Sequence, residues 1–211
     1  MSFSFYAFKP RFQALLRPAV QALARAGVTA NQVTVFACAI SVALGLALYI
    51  APVSPLAFAL VPVWMLLRMA LNAIDGMLAR EHGQQSVLGA YLNELTDVLA
   101  DAALYLPFAR IAPFDPFWIG AIVLASALSE MAGALGGTVG AGRQYQGPMG
   151  KSDRAFVFGA LGVAVAMLAD ARGLPEGWQG LAWVMPAVAG LTAWSVVNRI
   201  RAGVRLSNKV S

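Results

Sequence analysis

Residues 55–109 read PLAFALVPVWMLLRMALNAIDGMLAREHGQQSVLGAYLNELTDVLADAALYLPFA. Two apolar runs, 55–79 and 87–109, are each long enough to cross a bilayer as a helix, which takes about 20 residues. The polar stretch from Glu81 to Ser86 separates them. Within the runs stand Arg68, Asn72, Asp75, Asn93, Glu94, Asp97 and Asp101. An isolated charge at bilayer depth costs roughly 2.5–3.5 kcal/mol, so charges there point to a functional site.

Working outward, further apolar stretches fall near 32–53, 114–137, 155–169 and 180–198, for six expected spans. The breaks are Pro52-Val53-Ser54-Pro55, Glu81 to Ser86, Pro113, Gly140 to Ser152, and Arg172 to Gly177. The fifth run is short and is expected to begin earlier or to lie partly buried. The 211 residues are 59% hydrophobic and 12% charged, with a mean hydropathy of +0.68. A soluble domain is about 45–50% apolar and about 25% charged. The fold class is therefore all-α integral membrane, a single domain over 1–211. An amphipathic interfacial helix (9–27) precedes a six-helix bundle (32–198).

The first apolar run starts about 30 residues in and continues as a full span, which argues against a cleaved signal peptide. A lone cysteine, Cys38, provides neither a disulfide framework nor a thiolate metal site. The net charge of +5 is spread between the apolar runs, a pattern of membrane topology and anionic lipid or phosphate rather than nucleic acid. Twelve Lys and Arg residues fall on one side: Lys9, Arg11, Arg17, Arg25, Arg80, Arg143, Lys151, Arg154, Arg199, Arg201, Arg205 and Lys209. Arg110 and Arg172 alone fall on the other. Both termini are expected in the cytoplasm.

Ahead of the first span, Phe12, Leu15, Leu16, Val20 and Leu23 recur at helical spacing, with Arg17, Gln21 and Arg25 on another face. This predicts a helix lying on the cytoplasmic interface. Pro18 is expected to kink or split it, Gly27 to end it, and Thr29 or Asn31 to cap the first span.

On the second span Arg68, Asn72, Asp75 and Ala79 share one helical face. On the third, Asn93, Asp97 and Asp101 recur every four residues, with Glu94 on the flank. The short loop between the spans brings both faces to the same depth, just below the cytoplasmic surface. Clustered carboxylates and carboxamides there suit a hard cation, Mg²⁺, Mn²⁺ or Ca²⁺. The bland alternative is interhelical hydrogen bonds and ion pairs. It stands level with function for Arg68 and Glu130, and is much weaker for Asp75, Asp97 and Asp101, which repel each other without a cation.

At fixed spacing the stretch is Asn72-x2-Asp75-Gly76-x2-Ala79-Arg80-x8-Gly89-x3-Asn93-x3-Asp97. It resembles the hallmark of the CDP-alcohol phosphotransferase family, D-x2-D-G-x2-A-R-x8-G-x3-D-x3-D. Every spacing matches, and the departures are Asn72 and Asn93 where the family has aspartates. Gly27 to Thr34 is similar to the family's approach to its first span, and Gly150 to Arg154 to its approach to the fifth. The pattern looks like a bacterial subgroup with asparagine at the first and third motif positions.

The resemblance implies that an alcohol attacks the lipid-linked phosphorus of a CDP-activated donor, usually CDP-diacylglycerol, and CMP leaves. It implies Mg²⁺ or Mn²⁺ at Asn72, Asp75, Asn93 and Asp97, with Asp97 as the base, and a homodimer. Gly76, Ala79, Arg80 and Gly89 would shape the CDP pocket. Arg143, Lys151 and Arg154 would bind the phosphate of a phosphorylated acceptor or serve only as a topogenic loop. An asparagine ligand brings no negative charge, so Asp101 or Glu94 could restore it. A relay with Asp97 as ligand and Asp101 as base is a further reading. The alternatives to a transferase are a catalytically silent relative and a transporter whose path uses the Asp, Glu and Arg cluster. A transporter predicts midplane helix breaks and often an internal repeat, and no repeat is evident.

Overall fold

The computed structural model describes residues 9–50, 54–170 and 173–208, with backbone only at Lys9 and Pro10. Pro52 and Val53 of the first expected break, Arg172 and Lys209 lie outside the described residues. Seven α-helices make up the described chain: α1 (Lys9–Arg25), α2 (Ala30–Ile50), α3 (Leu60–Glu81), α4 (Val87–Tyr105), α5 (Pro116–Thr138), α6 (Lys151–Leu168) and α7 (Val184–Ser207). Short 3₁₀ turns precede α3 and α7 and follow α4.

Local chemistry sets the ends. Gly27, at φ 74°, closes α1. Thr29 and Gln32 then cap α2 reciprocally: the Gln32 amide donates to Thr29 Oγ1 at 3.3 Å, and the Thr29 amide to Gln32 Oε1 at 2.9 Å. Thr29 is thus the cap, while Asn31 faces α4. Ser86 accepts from the Gly89 amide at 2.9 Å to start α4, and Asp115 from the Phe117 amide at 2.8 Å to start α5. Asp153 accepts from the Gly150 amide at 2.8 Å, so α6 starts at Lys151, ahead of its apolar run.

Pro18 does not split α1, which runs through it from Lys9 to Arg25. One helical hydrogen bond is forfeited there, but Leu16, Val20 and Leu23 dock on Ile74, Met77 and Leu78 of α3. That burial holds the helix across the proline.

Among the described residues, four helical stretches are long and apolar enough to cross a membrane: Ala30–Ile50, Pro55–Glu81, Pro116–Thr138 and Glu176–Ser207. The remaining two of the six expected spans, α4 and α6, each carry three charged residues in 19 and 18 residues. Those charges lower their hydropathy, and all but the exposed Asp153 pair with charges on other elements of the bundle. Outward, Leu46, Leu66, Leu67, Leu95 and Leu124 are exposed, a surface suited to lipid. The main core lies at the end of the bundle where α4 finishes. There the Tyr105 and Phe158 rings stack at 3.9 Å and Phe58 meets Phe108 edge-on at 5.1 Å. Gly45 lets α2 and α4 touch: a Cβ there would fall 2.1 Å from the Ala103 carbonyl oxygen.

Candidate active site

Six helices or their flanking loops contribute to one polar cluster. Asp75 on α3 is buried, and its Oδ2 accepts from Thr34 Oγ1 of α2 at 2.7 Å. Asp97 on α4 is half-buried. Its Oδ1 gathers Arg68 Nη2 at 3.2 Å, Asn72 Nδ2 at 3.2 Å and the Lys151 ammonium of α6. Asp97 and Lys151 are both within electrostatic reach of Asp75. The motif's α3 and α4 halves therefore meet at one place.

Asp101, one turn along α4, has different surroundings. It is buried between Arg68 Nη1 at 2.5 Å and Arg154 Nη2 at 3.4 Å. Arg154 is fully buried and continues to Glu130 on α5 at 3.3 Å. Glu130 also meets Arg143 Nη2 at 3.1 Å and Arg199 Nη1 of α7 at 3.5 Å, and Arg143 pairs with Glu94. Arg68 and Glu130, for which interhelical ion pairing is one of the two expected roles, do not pair with each other. Both are held by ion pairs with other helices.

Loop 139–150 is irregular, as its glycines predict, but it is tied down. Gln144 is buried and its backbone N–H donates to the Gly133 carbonyl at 3.0 Å, while the Met149 backbone N–H donates to Ser195 Oγ at 3.0 Å. This docking brings Arg143 against Glu94 and Glu130. Burial pushes the Arg143 guanidinium down from its ordinary pKa; Tyr145 offsets this in part, and the charge of Arg199 adds to it.

The other motif positions divide. A Cβ on Gly76 would lie 3.1 Å from Arg80 Nη1, so the small residue makes room for the exposed Arg80 guanidinium. A Cβ on Gly89 would lie 2.8 Å from Asn31 Oδ1, so Gly89 admits the α2 side chain against the start of α4. Ala79 packs in the cluster that docks α1. Asn93 is half-buried on α4, one turn before Asp97. Thr34, Gln84 and Arg199 were not singled out from the sequence as site or capping residues. Gln84 Oε1 accepts from the Ala30 amide at 2.7 Å, fastening the α3–α4 loop to the start of α2. The available signal for Arg199 was Ser195, one turn earlier, which extends the polar face beyond the apolar run.

The donor set suits a hard divalent cation by type, since Asp75, Asp97, Asn72 and Asn93 all present oxygens. Among the described residues no three His, Cys, Asp or Glu side chains cluster as a metal site. The two asparagines account for that, because they leave two carboxylates in a four-residue set.

Residues 27–195 match the model of the CDP-alcohol phosphatidyltransferase family. The chain belongs to that family. It is 42% identical over 205 residues to the inner membrane protein YnbA of Escherichia coli K12, covering 97% of this chain and 98% of the relative. It is 34% identical over 103 residues to a phosphatidylinositol phosphate synthase of Mycobacteroides abscessus, covering 49% of this chain and 45% of that one. Its fold is similar to the Mycobacterium tuberculosis phosphatidylinositol phosphate synthase PgsA1 in complex with manganese and citrate. There the TM-score is 0.66 at 20% identity, over 89% of this chain and 88% of that one. The same enzyme with CDP-DAG bound also gives 0.66 at 20% identity, over 88% and 92%.

Proposed function

We infer that this protein transfers the phosphatidyl group of CDP-diacylglycerol to an alcohol and releases CMP, from the cytoplasmic face of a bacterial inner membrane. The observation that carries this reading is the meeting of Asp75, Asn72 and Asp97 in one polar cluster at the motif's own spacing. Six spans, counting α4 and α6, and a homodimer belong to the same reading.

Asp75 and Asp97, with the carbonyls of Asn72 and Asn93, would hold Mg²⁺ or Mn²⁺. The bound cation supplies charge neutralisation for the leaving pyrophosphate oxygens. Asp97 takes the proton of the acceptor hydroxyl, whose oxygen bonds to the lipid-linked phosphorus as the bond to CMP breaks. Lys151, Arg68 and Asn72 hold the Asp97 carboxylate in place. Asp101 is a positioning residue: it is buried between two buried guanidinium groups, whereas the half-buried Asp97 stays open to an acceptor. Arg80, exposed beside Gly76, is free to make bidentate contact with the donor's phosphates.

The test is CMP release from CDP-diacylglycerol by purified protein across a panel of alcohols. Release that needs Mg²⁺ or Mn²⁺, stops with a chelator and is lost in Asp97→Ala supports the reading. Metal-independent release, or full activity in Asp97→Ala, would sink it.

A further inference from the structure

Glu130 lies outside the family motif, yet it is buried and meets three arginines: Arg143 at 3.1 Å, Arg154 at 3.3 Å and Arg199 at 3.5 Å. Convergent guanidinium groups in a dry pocket are what a phosphate monoester needs. Here the chain's own carboxylate takes that position. Charges in the cluster match one for one: Arg68, Arg143, Lys151, Arg154 and Arg199 against Asp75, Glu94, Asp97, Asp101 and Glu130. A phosphate, at about −1.5 to −2 charge, would enter against Glu130 in a buried site, where like charges repel.

With its charges already matched, what the cage still offers is hydrogen-bonding capacity. The Nε–H groups of Arg143, Arg154 and Arg199 are buried without a hydrogen-bond partner among the described residues, as are the Ser126 and Ser129 hydroxyl oxygens. Alcohol hydroxyls can satisfy these groups while Glu130 stays in place. The cage also adjoins the proposed base. Arg154 joins Glu130 to Asp101, Arg68 joins Asp101 to Asp97, and Lys151 at the start of the same helix reaches Asp97 directly.

Resting on the transferase reading, we propose that Glu130 determines acceptor specificity. It is a built-in anion that fills the arginine cage, so the acceptor is a polyhydroxy alcohol carrying no phosphate or carboxylate.

Two measurements test this. In the first, CMP release is compared for glycerol and inositol against their monophosphates, in wild type and in Glu130→Gln. Wild type should favour the unphosphorylated alcohols by at least about tenfold, and Glu130→Gln should shift that ratio about tenfold toward the monophosphates, each tenfold being about 1.4 kcal/mol. In the second, thermal unfolding in detergent is followed with and without millimolar inorganic phosphate, which should raise the Tm of Glu130→Gln and not that of wild type. A wild type that prefers a monophosphate, or that phosphate stabilises as much as the variant, overturns the proposal. If no alcohol yields CMP, the transferase reading fails, while the phosphate response still decides whether Glu130 fills the cage. If Glu130→Gln does not fold, the wild-type acceptor preference and phosphate response decide it.

Discussion

Asp97 and Asp101 are the same residue type on one face of one helix, and their neighbours give them different work. Asp101 is enclosed by two guanidinium groups, both buried. Removing its charge leaves Arg68 and Arg154 under-compensated, and breaking a buried pair costs about 3–5 kcal/mol. Asp101→Asn should therefore lower the Tm in detergent clearly. Asp97 is half-buried and both of its cations meet the one oxygen, Oδ1. Asp97→Asn should leave the Tm within a few degrees of wild type while cutting CMP release by at least about 10²-fold, the lower end for losing a general base. Thermal unfolding and CMP release on the same preparations check both, and equal Tm losses would contradict the assignment.

At the scale of elements, the site depends on how closely α2 and α4 approach, because Thr34 steadies Asp75 from α2 while Asp97 stands on α4. Gly45 sets that approach through its contact with Ala103. Gly45→Val should push the helices apart, costing about 1–3 kcal/mol as an overpacked contact, and lower CMP release although it lies away from the motif. A variant with wild-type Tm and rate would show that this contact does not govern the site. The ends of the helices matter less: Thr29→Ala, which removes half of a capping box, should cost about 1 kcal/mol and leave activity intact.

At the scale of the molecule, the charged faces of α4 and α6 turn inward while leucines of α2, α3, α4 and α5 turn outward. A bilayer rewards this arrangement and water does not. The distribution of Lys and Arg predicts that the α3–α4 loop is cytoplasmic and the stretch before α7 is not. In a Cys38→Ala background, His82→Cys should react with a membrane-impermeant thiol reagent only when the cytoplasmic face is open. Gly177→Cys should react from the opposite face, in spheroplasts. The reverse pattern would invert the topology, and labelling of both from one face would refute the six-span count.

The helices and the motif were legible because both are local. Apolar runs of span length, the cap at Thr29 and the fixed spacing from Asn72 to Asp97 depend on residues close in sequence, where helical geometry alone decides which side chains share a face. Partnerships between helices were not legible. Spacing put Arg68 on the motif face but could not say that it reaches Asp97 and Asp101 rather than Glu130. The rotation of each helix about its axis, set by contacts such as Gly45 on Ala103 and Val20 on α3, decides that. The apolar run ends at 198, which puts Arg199 with the tail charges, yet α7 continues to Ser207 and turns Arg199 inward to Glu130. Likewise α1 passes through Pro18 because tertiary burial outweighs one lost hydrogen bond. The sequence by itself determined which residues lie at the site's depth and which chemistry they suit. Only the packing of helices distant in sequence decided which charges neutralise each other, because pairing energy depends on separations of a few ångströms that no local period encodes.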